Sequence, residues 1–254
     1  MANDMLRVEE LVVSFDGFVV LDHTNLAVAE RELRFLIGPN GAGKTTLMDV
    51  MSGKIRPESG KVTFNGTLDV TKCGEDELVR RGIGRKFQTP SVYGSLTCFE
   101  NLEVAIGFRS NVLALFGRLS GGQRDRIAAV LERVGLQERG RVSAKELSHG
   151  ERQWLEIAML LVQNPKLLLL DEPVAGMTKR ERARTGEILH ELKRDHTIII
   201  TEHDMEFVRE FAETVTVLHQ GSVIKEGTVR EVQGDPLVLE VYLGRSLAAA
   251  GVEG

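Results

Sequence analysis

With 254 residues, 42% of them hydrophobic and 27% charged, the chain carries enough apolar material for one full core and the balance of an ordinary globular enzyme. A formal net charge of −5 argues against a protein built to lie on nucleic acid, where phosphate binding needs a basic excess. No apolar run approaches the ~20 residues of a membrane span, and no cationic start with an apolar stretch marks a signal peptide, so a role at a membrane would place the pore on another chain. The pairs Arg80–Arg81 and Arg85–Lys86 read as a solvated basic face rather than a partner surface. Cys73 and Cys98 show no metal-ligand or redox spacing; a lone disulfide is open to them but not needed, which suits a reducing cytoplasm.

The first third reads as strands. Val8, Leu11 and Val13 lead to Phe15, and Val19 to Leu21 follow an Asp16–Gly17 turn signal. Leu33 to Ile37 is a short strand running into a glycine-rich loop, after which Leu47 to Met51 continues as helix to Ser52–Gly53. Pro57, Gly60 and Gly66 punctuate short strands around Val62 to Phe64. From about Pro90 to Gln163 the character is helical: Leu96 to Phe108, Arg124 to Val134 and Gln153 to Val162 carry apolar residues at three- and four-residue spacing, and Asn164–Pro165 stops the last. For that last helix the inner stripe is Trp154, Ala158, Leu161 and Val162. Strand character returns at Leu167–Leu170, Thr197–Thr201 and Val215–Leu218, uninterrupted apolar runs of the kind a parallel sheet buries on both faces. The expected fold is an α/β core interrupted by an inserted helical subdomain, with a frayed Ala- and Gly-rich tail.

Gly38-Pro39-Asn40-Gly41-Ala42-Gly43-Lys44-Thr45 satisfies the phosphate-loop pattern G-x-x-x-x-G-K-[ST] between a strand and a helix. Glycines there let successive backbone N–H groups turn around the β- and γ-phosphates, and the following helix aims its positive end at the same anion. Lys44 would reach the phosphate oxygens and Thr45 would offer its hydroxyl to Mg²⁺, with Thr46 completing an ATP-binding set that runs from Gly38. At the end of the Leu167–Leu170 run stand Asp171 and Glu172, two acids too costly to bury without a cation or a bonded water beside them. Asp171 suits Mg²⁺ coordination, and Glu172 suits orienting or deprotonating the attacking water.

The phosphate loop, the Asp171–Glu172 strand end, Gln88 in Arg85-Lys86-Phe87-Gln88 and His203 after a later strand together resemble the ABC (ATP-binding cassette) ATPases. The resemblance covers Leu6 to Arg245. It implies a P-loop NTPase (RecA-like) core of ABC type, with an N-terminal antiparallel β region. In domain terms, residues 1–90 and 165–245 would form the nucleotide-binding core, 91–164 the helical insertion and 246–254 a flexible tail. It further implies that Gln88 senses Mg²⁺ and water and links the nucleotide to a membrane partner. His203 would bond the γ-phosphate and position Glu172. Phe15 would stack on adenine, though a core Phe at a strand end is the competing reading and Phe18 the reserve candidate.

Such ATPases carry a signature usually written LSGGQ, and two segments compete for it. Leu119-Ser120-Gly121-Gly122-Gln123 matches letter for letter, whereas Leu147-Ser148-His149-Gly150-Glu151 matches loosely. Only the second is followed by a helix, an Asn164–Pro165 turn and the acid-bearing strand, as the family requires, so the first reads as a coincidental helix cap. Ser148, His149, Gly150 and Glu151 would therefore meet the ATP held by an opposite subunit, with Glu151 turned aside to cap its own helix. After Glu172 the usual Ser-Ala-Leu-Asp is replaced by Val174-Ala175-Gly176-Met177, which leaves no acid for a cross-dimer bond.

Glu172 to Thr178, Glu202 to Met205 and Tyr242 to Arg245 look like the branched-chain amino acid and amide importer group. Gln153 to Ile157 with Gly176-Met177-Thr178 is most similar to the urea-importer ATPase, first or D-type subunit. The implied partners are a second ATPase subunit (a heterodimer, or else a homodimer), membrane permease subunits and an external solute-binding protein, with the chain peripheral on the cytoplasmic face of the membrane. A branched-chain amino acid importer is the alternative. A soluble ABC ATPase acting on ribosomes or DNA is disfavoured by the single cassette and the acidic balance.

Overall fold

The computed structural model describes residues 4–86, 92–107 and 119–241. Two long strands, β1 (Asp4–Phe15) and β2 (Phe18–Ala29), form a hairpin whose turn puts Asp16 and Gly17 at φ 51° and 83°, the left-handed backbone of a tight two-residue connection. They join β4 (Ser59–Phe64) and β5 (Leu68–Asp69) in a four-stranded antiparallel sheet of order β2-β1-β4-β5. β3 (Leu33–Ile37) leaves this region for a second sheet and is followed by the phosphate loop and helix α1 (Lys44–Met51). Next come α2 (Glu75–Arg81) and β6 (Ile83–Lys86). The helical block holds α3 (Cys98–Gly107), α4 (Gly121–Arg133) and α5 (His149–Leu161). The chain returns through β7 (Leu167–Asp171), α6 (Lys179–Leu192), β8 (Thr197–Thr201), α7 (Met205–Phe211), β9 (Thr214–His219), β10 (Ser222–Gly227) and α8 (Val229–Gln233).

The second sheet has the order β10-β9-β3-β8-β7-β6, parallel except for β10. Every residue of β3, β7 and β8 is buried, as the unbroken apolar runs led us to expect. Alternate side chains go to opposite faces: Leu168, Leu170, Ile198 and Ile200 join one core with the helical block, while Leu167, Leu169 and Ile199 join the other with α1 and the antiparallel sheet. Each fully buried Leu or Ile stabilises by about 1.5–3 kcal/mol, so this sheet is the rigid base of the molecule. Because β3, β7 and β8 run parallel, their carboxyl ends lie along one edge, where an open α/β sheet binds its ligand.

Several expectations change in detail. Arg85 and Lys86 are not a solvated face: Arg85 pairs with Asp49 of α1 and donates to Ser52 Oγ at 2.7 Å, and Lys86 lies 3.2 Å from Glu156 of α5, all four charged groups being buried. Helix α5 is buried more widely than the expected stripe. Leu155, Glu156 and Ile157 are inside with Ala158 and Leu161, since α5 is packed against β6, α3 and α4 at once. Trp154 is only half-buried, and its Nε1–H donates to Thr185 Oγ1 at 2.9 Å. Cys73 and Cys98 are both free and buried, and burial pushes the Cys98 thiol up to about 11, an inert thiol rather than a nucleophile. Among the described residues no helix is long and apolar enough to cross a membrane.

Candidate nucleotide site

The phosphate loop is shaped by positions that only glycine fills. Gly38 has φ 152°, and a Cβ there would fall 2.1 Å from the Leu218 backbone oxygen. Gly43 has φ 102°, and a Cβ there would meet Leu21 Cδ2 at 2.8 Å and Val20 O at 2.9 Å. The β1–β2 hairpin and the end of β9 thus press on the loop from outside and leave its concave side free for an anion. Ala42 N–H donates to Pro39 O at 3.1 Å, Leu47 N–H to Gly43 O at 2.9 Å, and Gly221 N–H reaches Ala42 O at 3.0 Å. Lys44 Nζ donates to Gly38 O at 2.6 Å and to Pro39 O at 3.1 Å, which holds the ammonium over the loop at the positive end of α1. Asn40, Gly41 and Thr45 are exposed and Thr46 is half-buried, so the donors face an open surface. This cradle fits the triphosphate of ATP.

Asp171, at the end of β7, is 4% exposed and accepts from the Thr201 hydroxyl of its register partner on β8. That bond holds one carboxylate oxygen in place and leaves the other for a cation, and with the exposed Thr45 hydroxyl as a further oxygen donor the chemistry of the set fits Mg²⁺. Glu172 adopts the left-handed backbone at φ 45°, a conformation costing about 1–3 kcal/mol in a non-glycine residue. It is held by its N–H, which reaches Thr201 O at 3.0 Å, and its carboxylate meets His203 Nδ1 at 3.3 Å. The two acids and His203, expected together from the sequence, therefore do converge at the carboxyl ends of β7 and β8. Gln88 lies outside the described residues, as do Tyr242 to Arg245.

Phe15 and Phe18 face each other across the hairpin turn, 44% and 80% exposed. Neither is a core residue, so the competing reading of Phe15 as a buried strand end is set aside. Both rings project from the hairpin whose Val20 and Leu21 touch the phosphate loop.

The two signature candidates prove to be near copies at the level of local structure. Ser120 caps α4 and Ser148 caps α5, each in a reciprocal capping box with the residue three positions on, Gln123 and Glu151. Glu151 Oε2 accepts the Ser148 N–H at 2.9 Å, and its other oxygen pairs with Arg139 at 3.0 Å, so this acid is turned into its own helix end. Surroundings separate the two segments. A Cβ on Gly122 would meet nothing within 4 Å, whereas Gly150 is packed against Glu181. Ser148 Oγ donates to Glu181 Oε1 at 3.1 Å, and His149 Nε2 donates to Ala175 O at 2.9 Å, tying the start of α5 to the loop after Glu172. The N–H and hydroxyl of Thr178 hold Glu181 below the usual carboxylate range. Sequence reasoning assigned no role to Thr201, Glu181 or Glu202, whose partners Asp171, Ser148 and Val174 are brought in by the fold.

Strand order, phosphate loop and carboxylate–histidine pair together define a P-loop ATPase of the cassette type. A family model described as ABC transporter matches residues 21–175. The chain is 35% identical to the high-affinity branched-chain amino acid transport ATP-binding protein LivG of Salmonella typhimurium, over 97% of this chain and 100% of that protein. It is 32% identical to BraF of Pseudomonas aeruginosa, of the same description and with the same coverage. Among solved structures, the ADP conformation of the ATP-binding cassette MJ1267 superposes with a TM-score of 0.84 at 32% identity, covering 95% of this chain and 99% of that one. A nucleotide-free ATP-binding cassette from an ABC transporter gives 0.83 at 32% identity, over 94% and 98%. The chain belongs to the ABC transporter family, whose cassettes bind ATP and couple its hydrolysis to transport.

Proposed function

We propose that this chain is an ATPase subunit of a membrane importer for branched-chain amino acids. The observation that carries the solute class is full-length similarity to LivG and BraF, which are described as branched-chain amino acid transport proteins. Urea, expected from Gln153 to Ile157 and the Gly176-Met177-Thr178 stretch, gains no support from those relatives and becomes the second arm of the test. Two ATPase subunits, this one and a second, close on ATP against a pair of permease subunits. The chain itself is peripheral on the cytoplasmic face, and a solute-binding protein delivers from outside.

In this reading Gly38 to Thr46 hold the triphosphate, with Lys44 on the phosphate oxygens and Phe15 stacked on the base. Asp171 and Thr45, with Gln88, would hold Mg²⁺, which when bound neutralises phosphate charge. Glu172 accepts the proton of the attacking water, and His203 holds that carboxylate in place. Ser148 and the Gly150 N–H serve the ATP of the opposite subunit, so Ser148 must exchange Glu181 for phosphate on closure. Each charge-assisted bond contributes about 1.5–3 kcal/mol, and several per nucleotide suffice to drive closure. The test is uptake of labelled leucine and labelled urea in cells lacking the chain, restored with it or with Lys44→Ala. Leucine uptake rescued only by the native chain supports the proposal. Rescue of urea uptake alone moves the solute to urea, and rescue of neither removes the importer reading.

A further inference from the structure

Glu202 has no part in the scheme above, yet it is the most buried carboxylate beside the site. It is 1% exposed. Its backbone N–H donates to Leu36 O at 3.3 Å, next to the strand end that becomes the phosphate loop. Its side chain looks two ways. Oε1 accepts the Val174 N–H at 3.3 Å, in the loop after Glu172, and Oε2 accepts the N–H groups of His203 at 3.2 Å and Asp204 at 3.5 Å. One residue thus touches the phosphate-loop strand, the loop leading from Glu172 to α6 and the loop carrying His203. The Glu172–His203 contact spans the same two loops, so its length depends on whether they are held together.

We infer that Glu202 is a positioning residue that clamps the His203 loop to the loop after Glu172 and so fixes the Glu172–His203 pair for hydrolysis. The inference rests on the reading of Glu172 and His203 as the hydrolytic pair. An ionised carboxylate is the right group for the task, because it offers two strong acceptor oxygens to donors on opposite sides. An amide has donor hydrogens on one side and must release either Val174 or the His203–Asp204 turn, while a protonated carboxyl keeps only a weaker acceptor in its hydroxyl oxygen and loosens one of the two. Burial, partly offset by those three N–H donors, pushes this carboxyl up to about 7. The charged groups around it are His203 and Asp204 on its own loop, Arg182 of α6 paired to Asp204, and Glu172 from the end of β7 paired to His203. Since the acid is raised, the clamp is complete above about pH 7 and loosens as pH falls below it.

The test compares steady-state ATP hydrolysis by the full chain, Glu202→Gln and Glu172→Gln between about pH 6 and 8, with KM read separately from kcat. Glu202→Gln is expected to lower kcat about tenfold, since small misplacements of reacting groups are costly, while KM for ATP stays within about twofold. It should also lack the rise in kcat, with an inflection near 7, that is expected of the native chain. Unchanged kcat, or an inflection kept in the Gln variant, overturns the inference. Should that variant fold poorly, the native chain still decides: the Val174 and His203 amide resonances should titrate together with a midpoint near 7, and independent or absent titration overturns it. Rapid turnover by Glu172→Gln would remove the hydrolytic pair itself. A dead Glu172→Gln beside a normal Glu202→Gln would remove only the clamp.

Discussion

Gly150 and Gly122 form a matched pair that decides which signature segment acts. Both occupy the second helical position after a serine cap, in α5 and α4 respectively. Substitution by Asp has the same local effect on each helix, a small gain of about 0.3–1 kcal/mol from an acid in the first turn. Everything else differs. At Gly122 a Cβ meets nothing within 4 Å, so Gly122→Asp should keep that small gain in stability and leave turnover unchanged. At Gly150 a Cβ falls 2.4 Å from Glu181 Oε1 and 2.6 Å from its Cδ, so the Glu181 side chain must move off Ser148. Displacing one flexible side chain costs about 1–3 kcal/mol. On the proposed reading the new carboxylate also stands where a phosphate docks, and two like charges about 4 Å apart repel by up to about 4 kcal/mol at an effective dielectric near 20. A penalty of that size on the closed state slows turnover by roughly 100-fold or more. Urea unfolding and ATP hydrolysis measured on both variants separate the two costs. Equal loss of turnover, or loss in Gly122→Asp alone, would refute the assignment to Leu147–Glu151.

Two further outcomes follow from burial. Phe15→Ala or Phe18→Ala, whichever ring stacks the base, should weaken ATP binding about fivefold to tenfold, the loss of about 1–1.5 kcal/mol of aromatic contact, with urea stability unchanged because both rings are exposed; calorimetric titration with ATP reads this directly. Lys86→Met removes the ammonium 3.2 Å from the buried Glu156 carboxylate and should cost about 3–5 kcal/mol, with most of it recovered in the double variant Lys86→Met, Glu156→Leu by urea denaturation.

The parts of this protein that announced themselves in sequence are those whose physics is local. The phosphate loop is contiguous, and Leu167–Leu170 and Ile198–Ile200 are apolar on both faces, so their burial needed no knowledge of partners. Long-range partners were invisible. Arg85 and Lys86 looked like a solvated pair because Asp49 and Glu156, which neutralise them, come from distant helices. Glu202 was legible only as part of the Glu202–Met205 resemblance and not as a buried carboxylate, because Val174 reaches it only through the parallel pairing of β7 with β8. The short helix α2 was missed although acids open it and arginines close it, since Leu78 is its one buried side chain and leaves no apolar stripe to read. The two capping boxes show the converse: Ser120 and Ser148 are alike in local chemistry, and only the order of elements after them, together with Glu181, tells them apart.

The central assignment is that Glu172 is the carboxylate that activates water once ATP has drawn two subunits together. Light scattering of Glu172→Gln with and without ATP, alongside a phosphate-release assay, tests it most directly. A stable ATP-dependent dimer with turnover reduced by roughly 100-fold or more is expected. Native-like phosphate release by that variant, with no dimer accumulating, would contradict it.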